Sequence, residues 1–194
     1  MEQKTANLIM EYANKVDQIY GLYLDATKGF THNVEFINRI QKDSTNRNPK
    51  LTIEYLDTVP FAYGIGHPAD VNMVLQHETT QGNYKKRNGD NGANVIVLGH
   101  LCIVQLYSYW EDNYRSKIAE SMNVKKTELS SDIFGDIRHY RNSIIHHSGI
   151  ALKEIKKCKL LKWFNEGDQI VLNKNHIQDV IFHVKNEIIG WGKP

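Results

Sequence analysis

Apolar residues recur every three or four positions through the first part of the chain. This spacing predicts one long helix over residues 6–40, or two helices interrupted near Lys28 and Gly29. The polar segment 42–50 is typical of a turn and is expected to end the helical region. Residues 51–56 then alternate in polarity and include β-branched side chains, which predicts a short strand.

The middle of the chain breaks the helical pattern. Prolines and glycines interrupt residues 60–68, and residues 70–76 have the pattern of one or two helical turns. Residues 79–92 are polar and rich in glycine, so the basic triplet 85–87 is expected either on a loop that grips a substrate or on a flexible tip. Residues 43–94 together have the character of a loop-rich insertion carried by a helical scaffold.

Helical spacing returns after the insertion. Asn94 is expected to cap a long helix over residues 95–122, in which Glu111 and Arg115 are spaced for an ion pair. Ser130 or Ser131 is expected to cap the next helix, and Gly149 to end it.

The C-terminal part completes the prediction. Residues 152–164 are helical or mixed, residues 169–172 form a second candidate strand, and a last helix begins at Asn173 or Asn175 and runs to Ile189. The whole pattern predicts a mostly α protein, an up-and-down helical bundle with room for two short strands, folded as a single domain over residues 1–194.

Composition gives few functional hints. The 194 residues carry a formal charge of only +2, so a surface that binds nucleic acid would have to come from local clustering of charge. Cys102 and Cys158 form neither a ligand cluster nor a disulfide framework, and His67, His77 and His100 lack the spacing of metal ligands. We therefore expect no metal site and no cofactor.

The free cysteines favour a reducing cytoplasm, and neither the N-terminus nor the apolar segments indicate secretion or a membrane span. The N-terminus lacks the basic start and apolar stretch of a secretion signal. The apolar run 95–107 is shorter than the roughly 20 residues that cross a bilayer, and it is interrupted by Gly99, His100 and Gln105. It is expected to be a central helix of the bundle, with no contact with a membrane.

The most informative segment contains Arg141 and His146, five positions apart near the end of a predicted helix. Arginine keeps its charge and binds phosphate oxygens through several donors, whereas histidine exchanges a proton near neutral pH. Arg141 falls within an apolar arc, where an uncompensated guanidinium is costly. It should therefore meet an anion, which could be an internal carboxylate such as Glu111 or Asp136. The arc is formed by Ile133, Phe134, Ile137, Tyr140, Ile144 and Ile145.

On one straight helix the two side chains diverge by about 140 degrees. They could converge if the Arg141 side chain curls around the helix end, or if two copies of the helix face each other across a dimer axis. We favour the symmetric homodimer, because each residue then appears twice around a shared cleft.

The segment 136–146 resembles the signature of HEPN domains, an arginine followed by a polar residue, three further residues and a histidine. The resemblance implies a helical bundle that dimerises through this helix. It also implies a metal-independent endoribonuclease of toxin–antitoxin, abortive-infection or other anti-phage defence systems. By the same resemblance, Arg141, Asn142 and His146 take the catalytic positions.

The expected reaction is transesterification, in which a ribose 2′-hydroxyl attacks its own phosphorus. His146 would act as general base or acid, Arg141 would neutralise charge on phosphate oxygens, and Asn142 would orient His146 or the phosphate. Arg138, His147, Lys156 and Lys157 are candidate RNA-binding residues, although a solvated basic helix face is equally compatible with the lysines. The expected partners are RNA, a second copy of the chain and an antitoxin or other regulatory protein. The alternative is a non-catalytic dimeric module that binds RNA, a nucleotide or a protein partner.

Overall fold

The computed structural model describes residues 2–67 and 70–191, and they are mostly helical, as predicted. Two short strands pair in antiparallel fashion. The elements in chain order are α1 (Glu2–Arg47), α2 (Ile53–Thr58), β1 (Pro60–Ile65), β2 (Val74–Thr80), α3 (Gln81–Asn88), α4 (Ala93–Ser108), a π-helical turn (Tyr109–Tyr114), α5 (Arg115–Ser121), α6 (Asp132–His146), a 3-10 helix (Lys153–Lys157) and α7 (Lys174–Trp191).

The chain divides into two compact units. The described residues up to 25 and from 96 onward form the first unit, and residues 26–95 form the second. The insertion predicted at residues 43–94 falls within the second unit, which begins earlier in the chain, inside α1.

The first unit is a helical bundle built around stacked aromatic rings. The ring of Trp110 in the π-helical turn stacks on Phe134 of α6, with centroids 4.1 Å apart, and on Trp191 of α7 at 4.9 Å. Tyr12 of α1 packs beside Trp110 and donates a hydrogen bond to the Leu106 carbonyl at 3.1 Å. Because four segments of the chain meet at these rings, their burial fixes how the bundle packs.

The helix α1 is continuous for 46 residues, so no break occurs near Lys28 and Gly29. Its first half buries a stripe with helical spacing, formed by Ile9, Tyr12, Val16, Ile19 and Tyr23. The turn predicted at residues 42–50 begins only after Arg47. Ser44 and Thr45 bond back to the helix carbonyls of Ile40 and Lys42, so their hydroxyls do not end the helix.

Three predictions for the second unit are wrong. Residues 51–56 do not form a strand, because the Thr52 side chain accepts from the N–H of Tyr55 and begins α2. Residues 70–76 are not helical turns, since β2 begins at Val74 and pairs with β1. The segment 79–92 is not a loop throughout, because Thr80 caps α3 in the same way as Thr52 caps α2.

Contacts within the second unit also hold the basic triplet 85–87. Lys85 forms an ion pair with Asp57 at 2.6 Å, and Arg87 lies 2.6 Å from the His77 ring nitrogen and over the ring of Tyr84. Lys85 and Arg87 are thus engaged with neighbours in the second unit, whereas Lys86 is exposed. All three lie on α3, so the triplet is on a helix and not on the loop or tip that the sequence predicts.

The predicted ends of the later elements shift slightly. The helix α4 begins at Ala93, so Asn94 is not its cap and instead donates to the Asn88 side chain at 2.9 Å. Residues 169–172 contribute only an isolated bridge, between Gln169 and Ile150. The start of the last helix is confirmed, because the Asn173 side chain accepts from the N–H of His176.

Both cysteines are buried and free, as expected. Burial raises the pKa of the Cys102 thiol to about 11. The pKa of Cys158 rises to about 12, mainly by burial and secondly through the negative charge of Asp136. Neither thiol is therefore an activated nucleophile near neutral pH.

One helical stretch, Gln81–Ser121, is long and apolar enough to cross a membrane by length and composition alone. Core helices of globular proteins meet the same criterion. In this fold Cys102, Ile103 and Leu106 of that stretch are buried in the first unit, whereas Val97 and Leu101 are exposed.

We predict that Trp110→Ala lowers the free energy of unfolding by about 3–5 kcal/mol, because it removes the central ring of the aromatic stack. The control is Phe182→Ala, whose ring is 58% exposed and whose loss should cost within about 0.5 kcal/mol. Urea denaturation followed by circular dichroism measures both values. Equal losses in the two variants would contradict the central role of Trp110.

Candidate active site on α6

The helix α6 buries one face and exposes the other. Ile133, Phe134, Ile137 and Tyr140 are buried, which confirms most of the predicted apolar arc. Ile145 is 44% exposed and was wrongly placed in that arc, because it lies in the last turn, beyond the core residues that cover the rest of the helix.

A buried carboxylate fixes the position of α6. Asp136 is 2% exposed and accepts hydrogen bonds from three consecutive backbone N–H groups at 2.7–3.1 Å. The donors are Lys159, Leu160 and Leu161. Because this carboxylate is saturated by backbone donors, the segment after the 3-10 helix is held firmly against α6.

Arg141 is a partly buried cation that forms no ion pair with any carboxylate among residues 2–67 and 70–191. Its Nη1 donates to the Asn142 Oδ1 at 3.1 Å, and its Nε is shielded from solvent without a hydrogen-bond partner. An unsatisfied, partly desolvated guanidinium is costly unless an anion meets it. The guanidinium is therefore available to an external anion.

Neither of the proposed internal carboxylates pairs with Arg141. Glu111 is held by Arg115 at 2.9 Å and by Lys126 at 2.9 Å, and the former contact confirms the predicted ion pair. Asp136 is occupied by the backbone. Among residues 2–67 and 70–191, the interpretation of Arg141 as half of an internal ion pair with Glu111, Asp136 or another carboxylate is therefore wrong.

Asn142 orients the guanidinium. It is partly buried, and its side-chain oxygen accepts from Arg141, so the structure links it with Arg141 and not with His146. The expectation that Asn142 would orient His146 is not met within one chain.

His146 is the last residue of α6 and is exposed, as is His147 at the C-cap. Within the described part of the chain, neither ring forms a hydrogen bond or an ion pair. Because α6 is continuous, Arg141 and His146 lie about 140 degrees apart around the axis and about 7.5 Å apart along it. One chain alone does not bring the two side chains together.

Gly149 sets the end of α6. Its φ of +80° follows Ser148 at +51°, and the Gly149 N–H bonds back to the Ser143 carbonyl at 3.1 Å. A Cβ at this position would lie 2.8 Å from the His100 ring and 2.9 Å from the Gln169 side chain. A glycine is therefore required both by the backbone conformation and by the close packing.

The candidate RNA-binding residues are all at the surface, but their partners differ. Arg138 and Lys157 are exposed and form no ion pair with the described carboxylates, whereas Lys156 pairs with Glu166 at 2.6 Å. Lys157 lies near His139, whose pKa is lowered chiefly by burial and further by the charges of Arg138 and Lys157. The candidate residues thus form a basic surface on which Lys156 is neutralised by Glu166.

Sequence reasoning missed two features beside α6. The helix that follows α4 changes to π-helical geometry, in which the N–H of Arg115 bonds to the carbonyl of Trp110, five residues earlier. A cavity of about 200 Å³ opens between this turn and the start of α6. The serine pair 130–131 and the spacing of Glu111 and Arg115 are visible in the sequence, but the π-helical turn has no sequence signal.

The described residues contain no group of three or more histidine, cysteine, aspartate or glutamate side chains arranged to hold a metal ion. No protein-family model matches the chain, and neither a curated protein nor a solved structure is significantly similar to it.

We predict that Asp136→Ala lowers the free energy of unfolding by at least about 3 kcal/mol, because it leaves the backbone N–H groups of Lys159, Leu160 and Leu161 without their acceptor. Asp136→Asn keeps one acceptor oxygen and should lose less. Thermal denaturation compares both with Asp132→Asn, a control on the same helix that alters only an exposed ion pair with Lys159. If Asp132→Asn proved as harmful as Asp136→Ala, the anchoring role would be refuted.

Proposed function

We propose that this protein is a HEPN-type, metal-independent endoribonuclease. The observation that carries the proposal is the state of Arg141, a partly buried guanidinium that has an unsatisfied Nε and is bonded to Asn142. It pairs with no carboxylate in the part of the chain that the structure describes. Such a group is suited to a phosphate, because its planar donors match phosphate oxygens. The type of reaction is proposed from the resemblance of α6 to the HEPN signature.

In the proposed reaction the ribose 2′-oxygen forms a bond to phosphorus, and the bond from phosphorus to the 5′-oxygen breaks. The products are a 2′,3′-cyclic phosphate and a 5′-hydroxyl. His146 takes the proton of the 2′-hydroxyl, and the leaving 5′-oxygen takes a proton from solvent water, whose hydroxide is neutralised by the protonated histidine. Arg141 stabilises the additional charge on the non-bridging oxygens, which is a preorganised electrostatic role.

The proposed site is completed by a second copy of the chain. Arg141 and His146 diverge on one helix, so a twofold dimer supplies Arg141 from one copy and His146 from the other. The exposed Ile145 beside His146 and the exposed Ile150 after the turn supply apolar surface for that contact.

Arg138, His147, Lys156 and Lys157 are the proposed contacts of the RNA backbone. The ion pair of Lys156 with Glu166 is exposed at both ends. Exposed pairs are weak, so phosphate can replace the carboxylate at little cost.

On the HEPN-like pattern we propose a cytoplasmic toxin or anti-phage defence enzyme, with an antitoxin or other regulatory protein as partner. Unregulated cleavage of RNA would then be toxic to the cell.

One observation favours a second candidate, a non-catalytic dimeric module that binds RNA, a nucleotide or a protein. No side chain in the described residues orients the His146 ring. A general base is normally held by a hydrogen bond to a neighbouring group. The same cleft could therefore bind a ligand without cleaving it.

We predict that purified protein cleaves RNA in the presence of EDTA and leaves 2′,3′-cyclic phosphate ends. Arg141→Ala and His146→Ala should each lower the rate by about 100-fold or more, since each removes a transition-state interaction. The matched controls are Arg47→Ala and His32→Ala, both exposed residues of the second unit. Intact RNA with retained binding would identify the non-catalytic module instead.

The dimeric site predicts complementation between inactive variants. When Arg141→Ala and His146→Ala chains are unfolded together and refolded, half of the dimers are mixed, and each mixed dimer holds one intact site. About one quarter of the wild-type cleavage rate should return. If both variants are inactive alone and no activity returns on mixing, the composite site is excluded.

A further inference from the structure

A cavity of about 200 Å³ lies in the first unit, between the π-helical turn and the first turns of α6. Its polar lining comes from Glu111, Arg115, Ser130, Ser131 and Arg138, and Gly135 adds bare backbone. The cavity is separate from Arg141, but Gly135, Arg138 and Asn142 follow one another on one stripe of α6. Along this stripe, the cavity and Asn142 are about 10 Å apart.

The cavity has an excess of positive charge. Arg115 donates its Nη1 to Glu111 and its Nε to the Leu129 carbonyl, which leaves further N–H groups unused. Glu111 also receives Lys126, so its single negative charge is shared between two cations. Arg138 adds a third cation, and it has no carboxylate partner among the described residues. An anion of one or two charges would balance the site.

Tyr107 lies at the wall of the cavity, and the pKa of its phenol reflects the same positive charges. Burial and the charge of Glu111 raise the pKa of its phenol. The charges of Arg138, Arg115 and Arg141 oppose this rise, in that order. Three arginines therefore act on a single point of the wall.

Ser131 holds an unused hydrogen-bonding group at the wall. It occupies the N-cap position of α6, but its side chain does not cap the helix. The Ser131 Oγ is shielded from solvent and has no hydrogen-bond partner. A shielded hydroxyl without a partner in the chain is costly, so an oxygen of a bound ligand would satisfy it. The unpaired N–H groups of the first turn of α6 favour an anion at the same place.

Two features of the backbone lie at the cavity. A Cβ at Gly135 would meet nothing within 4 Å, yet glycine in a helix interior costs about 1 kcal/mol relative to alanine. The π-helical turn replaces regular helix just where Glu111 is placed, and such turns occur frequently at functional sites. Gly135 leaves the cavity open on the side of α6, and the π-helical turn carries Glu111 at its wall.

We propose that this cavity binds a phosphoryl group, held by Arg138, Arg115 and the Ser131 hydroxyl. The source is either an internal phosphodiester of RNA or the terminal phosphate of a nucleotide. If the phosphoryl group is an internal phosphodiester of RNA, the inference deepens the proposed function and rests on it. The cavity would then bind the substrate strand at Arg138, N-terminal to Arg141 on the same helix. Phosphate binding itself does not require that the protein cleaves RNA.

The test uses the amide resonances of Ser131 and Gly135 in ¹⁵N–¹H spectra of the full chain. Inorganic phosphate is added against sodium chloride of equal ionic strength. We expect saturable shifts that Arg138→Gln weakens by about tenfold or more, since a charge-assisted donor is lost. Ser131→Ala should weaken binding less, because only a neutral donor is removed. Arg47→Gln, at an exposed residue of the second unit, should have no effect.

Two tetranucleotides with 2′-O-methyl groups, which prevent cleavage, then identify the source. Shifts with a tetranucleotide that has hydroxyl ends support an internal phosphodiester, whereas shifts only with its 5′-phosphorylated form support a terminal phosphate. The proposal is overturned if chloride produces the same shifts, if Arg138→Gln binds as well as wild type, or if phosphate binds but neither tetranucleotide does. His146→Ala should bind phosphate normally, so failure of the cleavage assay and failure of this site remain distinguishable.

Discussion

The hydrogen bonds that the Asp136 carboxylate accepts from residues 159–161 are the interaction on which the rest of the first unit depends. They hold the C-terminal segment against α6 and leave this carboxylate unable to pair with a cation. Glu111 is similarly occupied, by Arg115 and Lys126. Because these two carboxylates are already engaged, neither is a counter-ion for Arg141, which forms no ion pair with a carboxylate among residues 2–67 and 70–191.

The same helix separates its structural and chemical roles by face. Its buried face carries the ring of Phe134 into the aromatic stack and Asp136 to the backbone donors. Its other face presents Arg138, Asn142 and His146 at helical spacing. Arg138 and Arg141 form no ion pair with a described carboxylate, so anions can bind at two positions along the helix. The turn at Gly149 then ends the helix directly after the histidines.

The sequence was a good guide where the relevant contacts are local. The period of the apolar residues identified the buried stripe of α1 and most of that of α6, and the i,i+4 spacing identified the pair of Glu111 and Arg115. It was a poor guide in the second unit. There β1 pairs with the next strand, β2, from Pro60 with Thr80 to Ile65 with Val74, although the glycines and prolines of this segment indicate breaks. Thr52 and Thr80 begin short helices that have no periodic apolar pattern in the sequence. The candidate residues of α6 were found from the sequence, but their environment was not.

The sequence by itself determined that the chain is mostly helical and that one helix carries Arg141, Asn142 and His146, because helical periodicity and the order of residues along one helix are local properties. The tertiary structure decided which charges are neutralised. Asp136 is five residues from Arg141 in sequence, yet it bonds to a distant backbone segment, and the π-helical turn opens a cavity beside Arg138. Which polar groups pair depends on which segments meet in the core. Because a desolvated charge needs its partner, a carboxylate that is bonded to one group is not available to another.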